Sequence, residues 1–553
     1  MQFKKTAISA LLFVCPFILS AQSTYIPRGS KEYSILDRLQ IKLGKDTVLN
    51  FLQNQPFSRH EMVKVMEGLD STGQNIKLTD VDRYNINDAL MNSSEWVTGS
   101  KEGFSPKKPF LKIFYKNKAN FFEVDNKDFY LSVNPVLQLR AGKENDNSDL
   151  LFVNTRGVVI RGLIAKRIGF QSYITDNQER PPLYVRNRID SMQAVPGEGF
   201  YKPFKTTGYD YFDARGYITF NAAKFIDFQF GYDKNFIGDG YRSLVMSDNS
   251  NSYLFLRVNT HVWRLNYNIL YMELTNQFEK GAEDFLLPRK YAVIHHLNVN
   301  APKWLTLGVM DAIVFGRADH FDFSYLNPII FLRAAEQQAG SPDNALIAFD
   351  VKANVAHSLQ LYSMILIDEL KLSELKAGNG WWGNKFGIQF GGKYIDAFGI
   401  KNLDLQAEFN WVRPFTYSHT DSVANYTHYN QALAHPIGAN FRELIGIARY
   451  QPAPKWRFEG KLIAYLQGTD TAGMNFGNNI FLPYTTRAGE YGFHIGSAVP
   501  AKCVNFSLWA DYEWKENFFI EASLTVRRYT GQPTNTIPSI GIRWNIARRE
   551  YDY

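Results

Sequence analysis

After Pro106 the sequence settles into an alternation of apolar and polar residues that recurs to the end of the chain. Leu131, Val133, Leu137 and Leu139 alternate with Ser132, Asn134, Gln138 and Arg140. Phe228, Phe230 and Tyr232 alternate with Asp227, Gln229, Gly231 and Asp233, and Trp263, Leu265, Tyr267 and Ile269 with Arg264, Asn266 and Asn268. Leu403, Leu405, Ala407, Phe409 and Trp411 are set against Asp404, Gln406, Glu408 and Asn410. The last two segments pair Val504, Phe506, Leu508, Ala510 and Tyr512 with Asn505, Ser507, Asp511 and Glu513, then Ile540, Ile542, Trp544 and Ile546 with Ser539, Arg543 and Asn545. Period two is the period of a β-strand, whose successive side chains point to opposite faces. A soluble sandwich alternates as well, with one face in a dry core. Here runs such as Leu403–Trp411 match the roughly 9–11 residues of a tilted membrane strand, and the polar faces repeatedly carry full charges, as a wet or salt-bridged lumen allows. No later apolar run approaches the roughly 20 residues of a membrane helix. A chain that crosses lipid with strands must close into a barrel.

Composition agrees with that reading. Aromatic residues make up 15% (31 Tyr, 42 Phe, 10 Trp), yet the mean hydropathy is only -0.28. An alternating wall averages out in this way. Trp411, Trp456, Trp514 and Tyr529 fall near strand ends, where interfacial girdles are expected, and the chain closes on the aromatic Tyr553, a common ending for such barrels. Residues 106–553 are assigned to a large antiparallel transmembrane β-barrel. At roughly 25 residues per strand with its turn, they make about 16–20 strands, even in number.

The first residues point to export. Lys4 and Lys5, the apolar stretch Ala7–Leu19 and the small pair Ser20-Ala21 have the three-part layout of a secretory leader, residues 1–21. Cys15 lies inside the apolar stretch with no small residue before it, so a lipoprotein is not expected. Cys503 is then the sole cysteine, which excludes an intramolecular disulfide and a thiolate zinc site. The full chain carries +7 at neutral pH. That mild balance tolerates anionic polysaccharide or lipid head groups, but no basic run points to nucleic acid.

Residues 22–105 follow a helical period instead and are read as a small periplasmic helical module. Ile35, Leu36, Leu39 and Leu43 recur at helical spacing, with Gly44 placed to end the segment. Ser58 with Glu61, and Thr79 with Asp82, mark two helix starts. Three short helices cannot each bury a face alone. They are expected to pack on each other or against a barrel mouth, as a contact module or as a stabilising plug.

No nucleophile elbow, phosphate-binding loop or metalloprotease motif occurs, so neither an enzyme nor a cofactor or metal site is expected. His295 and His296 are adjacent and point to opposite faces of a strand. Asp311, His320 and Asp322 are ascribed to loop solvation, and Gly238-Asp239-Gly240 to turn geometry. The least regular stretch, Phe321–Ala345, carries Asn327-Pro328 and the run Gly340-Ser341-Pro342-Asp343-Asn344 around a possible short helix at Ile329–Gln338. In a barrel it is expected to fold into the lumen or to form an external cap. Tyr325, Asn327, Arg333, Glu336, Asp343 and Asn344 are its candidate lumen or ligand-platform residues, against the plainer account of a loop whose charges satisfy one another.

Four stretches, IGDGYRSLVMSDNS (Ile237–Ser250), SYLNPIIFLRAAEQ (Ser324–Gln337), GSPDNA (Gly340–Ala345) and GWWGNKFGIQFG (Gly380–Gly391), resemble the Wzi-like capsule-assembly family of outer-membrane proteins in Bacteroidetes, closest to its RemB-type gliding-motility members. The resemblance implies an 18-stranded barrel with a periplasmic helical module, exposed at the cell surface of the outer membrane. In the gliding branch it implies a motility component, with motility adhesins or surface polysaccharide as partners besides outer-membrane lipid. In the capsule branch it implies a lectin-like anchor for capsular polysaccharide. The expectation is therefore a non-enzymatic barrel supporting gliding motility; the alternatives are a capsule anchor, then a porin or transporter.

Overall fold

The computed structural model describes residues 23–69, 76–111, 113–145, 147–276, 286–318, 320–471 and 473–553, so the leader expected over 1–21 lies outside the described residues. The alternating segments form a closed antiparallel barrel of 18 strands. They are β1 (Phe129–Lys143), β2 (Leu150–Ile164), β3 (Ile168–Arg180), β4 (Gly208–Ala223), β5 (Ile226–Asp233), β6 (Tyr253–Val262), β7 (Leu265–Thr275), β8 (Arg289–Asn300) and β9 (Leu305–Phe315). The second half is β10 (Asn344–Val355), β11 (Leu359–Glu369), β12 (Lys385–Tyr394), β13 (Leu403–Val412), β14 (Phe441–Ala453), β15 (Trp456–Thr469), β16 (Val499–Lys515), β17 (Phe518–Tyr529) and β18 (Asn535–Trp544). Each strand pairs with its neighbours in sequence. β18 returns to β1 through the register Trp544↔Leu137 to Ser539↔Gly142. A short strand, Phe122–Asp125, pairs with β1 at Val133–Tyr130 and continues the wall where β18 has ended.

The alternation decides which face each residue takes. On β13, Gln406, Glu408 and Asn410 are buried toward the lumen, while Leu403, Leu405 and Phe409 look outward. Phe230, Phe349, Phe390 and Leu444 are exposed on the same outer surface, 45–54% of each accessible. Such a belt is costly in water and suited to lipid. Trp456 and Trp514 stand on this surface at one end of the wall. Tyr529 departs from the girdle expectation. It pairs with buried Cys503, and the Arg527 guanidinium lies 5.2 Å from its ring, so it shares the lumen face.

The two ends of the barrel differ. At one, residues such as Ala165–Arg167, Lys224-Phe225 and Trp263-Arg264 make tight turns; at the other, strands are joined by long segments including 181–207, 234–252, 413–440 and 470–498. The helical segment sits in the short-turn mouth as α1 (Glu32–Leu43), α2 (Arg59–Gly68) and α3 (Asp80–Asn92). Gly44 ends α1 at φ 67°, a left-handed position that glycine takes without strain. Ser58 accepts the Glu61 N–H, and Thr79 with Asp82 forms a reciprocal capping box. Ile35, Leu36 and Leu39 of α1, Met62 and Met66 of α2 and Ala89 of α3 share one core.

The described residues of the irregular stretch, 316–318 and 320–343, do not enter the lumen. They lie against the outer face of β7–β9, where Phe321 and Tyr325 pack on the outward rings of Tyr291 and Phe315. The lumen side of the same strands carries Leu270, Ala292 and Met310, in a separate core. Irregular backbone in contact with lipid must have its polar groups satisfied within the protein. Here the wall does so: Tyr267 Oη donates to Pro328 O (2.7 Å), Tyr271 Oη to Leu326 O (3.4 Å), and Asp311 accepts the Leu332 N–H. Asp311 is therefore a buried strand residue with a defined partner, not a solvated loop acid. Asp311→Ala should cost about 1–3 kcal/mol by orphaning the Leu332 N–H. A lowered temperature for the heat-dependent gel-mobility shift of the folded barrel checks this, and Asp311→Asn, which keeps an acceptor, should recover most of the loss.

Candidate functional site

The lumen is filled from both mouths. At the short-turn mouth, Arg38 of α1 is the central contact. Its guanidinium reaches Asp82 of α3 (2.7 Å), Asp396 in the β12–β13 turn (2.9 Å) and Asp404 of β13. Lys42 adds Asp396 at 2.7 Å, and Lys31 lies 2.6–2.7 Å from Asp88, Glu513 and Glu516. That acid trio has its cation already, in the Lys31 ammonium. Around the ring, Asn50 donates to Lys303 O, Gln40 accepts from Gln360, Asn54 donates to Asn298 and bonds His296, and Arg161 donates to Asn92 O. The helices are a stopper held by the wall on several sides.

From the opposite mouth, segments 234–252 and 413–440 descend into the barrel. Leu244, Val245, Met246, Tyr417, Tyr426 and Leu433 form an apolar core with the inner faces of β6–β11. Tyr417 Oη donates to Leu244 O at 2.7 Å, and Lys290 to Asn425 O at 2.8 Å. Glu408 of β13 accepts the backbone N–H groups of Tyr241 (2.6 Å) and Arg242 (3.1 Å). A Cβ at Gly240 would stand 2.4 Å from the Glu408 carboxylate, so only glycine permits this approach. The stretch expected to be a simple turn is thus a docking point on the wall. Phe236-Ile237 then pairs with Asn54-Gln55 of the stopper, joining the two fillings in one backbone ladder.

The C-terminus supplies the third element. β18 ends at Trp544, and residues 545–553 turn back into the lumen. Tyr553 is accordingly a lumen residue and not the end of a wall strand. Asp552 lies 2.6 Å from Lys461 and 3.1 Å from Arg242; Lys461 also pairs with Glu550, and Arg549 pairs with Glu198 (2.7 Å). Tyr551 donates to Glu179, Arg527 donates to Tyr553 O, and Arg188 of α4 (Leu183–Met192) lies 3.9 Å over the Tyr553 ring. Between stopper, tail and loops remains a cavity of about 780 Å³, lined by Arg215, Arg449, Asp233 and Asp511 among others. Much of its charge is already paired, as in Arg215–Asp213 and Arg449–Glu459, both at 2.8 Å.

The candidate platform residues do not converge. Tyr325 is buried and donates to Asp343, which Arg317 also engages at 2.6 Å. Asn327 is exposed and accepts from Ile329 N. On α5 (Arg333–Gln338), Arg333 is exposed and Glu336 fully buried, so no face presents both. Asn344 opens β10 on the lumen side, against Tyr417 O. Asp343 is thus engaged by Tyr325 and Arg317, whereas neither carboxylate oxygen of Glu336 meets a hydrogen-bond partner among the described residues, so the charges of this loop do not all satisfy one another. His296 faces the lumen, 2.8 Å from Asp350, while His295 lies beneath the outer insertion beside Tyr267.

At the long-loop surface, a cluster that sequence reading passed over brings two loops together. Trp382 packs on Tyr484 (4.7 Å) and under Arg487 (4.2 Å), and its indole N–H donates to Glu490 at 2.8 Å. Trp381 adjoins it at 5.8 Å. The Trp-Trp pair is visible in the sequence, but Tyr484 and Glu490 lie about a hundred residues away, and no local pattern links them.

No family model and no curated protein matches the sequence. Among solved structures, the barrel is similar to Wzi of Escherichia coli, an outer membrane protein involved in group 1 capsule assembly and described as a carbohydrate-binding β-barrel. The TM-score is 0.56 at 12% identity, over 92% of this chain and 98% of that one. Two Pseudomonas aeruginosa barrels overlap more loosely: OprD (TM-score 0.41, 12% identity, 75% and 93% covered) and OccK8 (TM-score 0.41, 10%, 74% and 97%). The likeness to Wzi is one of fold.

Two outcomes test the seals. Burial alone would raise the Asp396 carboxyl, but hydrogen bonds from Lys42 and Arg38 outweigh it and hold the group at about 2; Arg38 likewise keeps Asp82 low against its burial. A depressed folded-state pKa gives stability that is complete above the unfolded value near 3.8 and lost as pH falls through the folded one. Pepsin cleavage within α1–α3 should therefore rise between about pH 4 and pH 2, and Asp396→Asn should flatten that dependence. In the tail, Lys461→Met should cost about 3–5 kcal/mol by stranding Asp552 and Glu550. Urea unfolding followed by gel mobility measures it, and adding Asp552→Asn should restore part.

Proposed function

We propose that this protein is a non-enzymatic, non-conducting barrel of the outer membrane that holds polysaccharide at the cell surface. The observation that carries the reading is the double filling of the lumen, with stopper, loops and tail joined by ion pairs and a backbone ladder. A diffusion pore needs a continuous wet path, whereas here stopper, loops and tail occupy the lumen around a remaining cavity of about 780 Å³. A barrel sealed in this way serves as a rigid support for its loops. Outer-membrane barrels have short turns toward the periplasm and long loops toward the outside. On that rule the stopper faces the periplasm, and the Trp381, Trp382, Tyr484 cluster faces the medium. Aromatic faces cover the C–H faces of sugar rings while neighbouring charged groups bond hydroxyls, and Arg487 with Glu490 supplies that combination. The fold likeness to a carbohydrate-binding barrel supports the same choice.

The capsule-anchor reading thus comes ahead of the gliding role, for which neither the barrel nor its fold likeness offers a specific observation. Purified protein should bind the surface polysaccharide of its own strain, with Trp381→Ala and Tyr484→Ala each weakening binding about 3–10-fold. Planar bilayers should show no steady open channel. A deletion strain should lose cell-bound polysaccharide and still spread; lost spreading with full retention would return the assignment to motility.

A further inference from the structure

The short-turn rim carries a pattern that neither the seal nor the long-loop cluster uses. Successive turns place a cation beside an exposed aromatic on the outer surface: exposed Lys224 with Phe225, half-buried Arg264 with Trp263, and exposed Lys303 with Trp304. Lys166 and Arg167 occupy the β2–β3 turn on the same arc. Trp263 is 73% exposed, the Arg264 guanidinium lies 5.0 Å from its ring, and the Lys224 ammonium lies 5.1 Å from Phe225. No ion pair engages these five cations among the described residues. Next to them, the segment joining stopper to wall exposes Phe110, Leu111 and Ile113 beside Lys107 and Lys108. Of the acids nearby, Asp125 pairs with Lys101 and Asp46 accepts the N–H groups of Val48 and Leu49, while Asp128, whose carbonyl accepts the Ala165 N–H, is exposed beside the β2–β3 turn.

We propose that this rim binds the anionic head groups of the phospholipid leaflet around the short-turn mouth, with the rings seated at the interface and the cations on lipid phosphates. The rings continue the lipid-facing belt downward, which places their cations at head-group depth. Lipid phosphate is the complementary charge in that layer, and a cation near an anionic membrane surface gains roughly 1 kcal/mol, about a fivefold preference. The proposal rests on the membrane-spanning barrel and is independent of polysaccharide binding.

The test uses the full chain in mixed micelles, with its tryptophan fluorescence quenched by brominated phosphatidylglycerol or brominated phosphatidylcholine. Phosphatidylglycerol should be preferred about fivefold or more at low salt, and the preference should shrink as salt rises. The combined variant Lys166→Gln, Arg167→Gln, Lys224→Gln, Arg264→Gln and Lys303→Gln should lose it. Lys371→Gln with Lys376→Gln, at the opposite end, should keep it, and millimolar inorganic phosphate should not compete. Equal quenching by the two lipids in the wild type, or an undiminished preference in the rim variant, would overturn the proposal. Competition by free phosphate would reassign the rim to a soluble anion and equally overturn it. Gel mobility on heating verifies that each variant is folded.

Discussion

A sheet edge that faces hydrocarbon leaves N–H and C=O groups with no partner, at several kcal/mol each. The hydrogen bonds between β18 and β1 remove that edge, and the rest of the molecule follows from them. Closure sorts every strand residue into an outer set that meets lipid and an inner set that meets whatever fills the barrel. It also explains the short strand Phe122–Asp125. β18 pairs with only part of β1, and this strand covers the rest of the same edge. The outer insertion obeys the same requirement by another route, with Tyr267, Tyr271 and Asp311 supplying from the wall the partners that lipid cannot.

Inside, the governing quantity is charge. A wide barrel with charged inner faces can stay wet, as a channel, or be filled, in which case each buried charge needs a partner. This chain takes the second course, and the partners come from far along the sequence. Arg38 meets Asp404, Lys31 meets Glu513, and Lys461 meets Asp552. A pair buried in this way adds little net stability over a well-packed apolar pair, but removing one partner is costly. Each such pair ties the stopper or the tail to a named residue of the wall or its turns.

What the sequence revealed follows from this division. The wall was legible because its rule is local: period two, read on β13 or β16, assigns faces without knowledge of any neighbour. The stopper helices were legible for the same reason, through the Thr79–Asp82 cap and the spacing of Ile35, Leu36 and Leu39. The filling was not. Gly240 looks like a turn glycine until Glu408 is known to lie against it, and Tyr553 looks like a terminal wall residue until the chain is seen to reverse after Trp544. The insertion was misplaced because its apolar residues suit lipid and lumen core equally. Only the outward parity of Tyr267 and Asp311 separates the two.

That parity bears on how the barrel presents its surfaces. A filled lumen gains rigidity: loop 234–252 is clamped from below by the stopper and from the side by Glu408, and loop 413–440 is bonded to it through Tyr417 and Leu244. The outer cluster stands on the second of these loops, with the Trp382 ring against Phe415 and Arg413 donating to Trp381 O, and there Trp382, Tyr484 and Glu490 come together from distant segments. A binding face of this kind loses less conformational entropy on engagement than mobile loops would, so modest contacts along a repeating polymer can sum to firm retention. In the proposed anchoring role, retained polymer would load the barrel sideways, and resisting such a load needs purchase in the leaflet at the other end. The aromatic and cationic turns of the short-turn rim lie where that purchase would act.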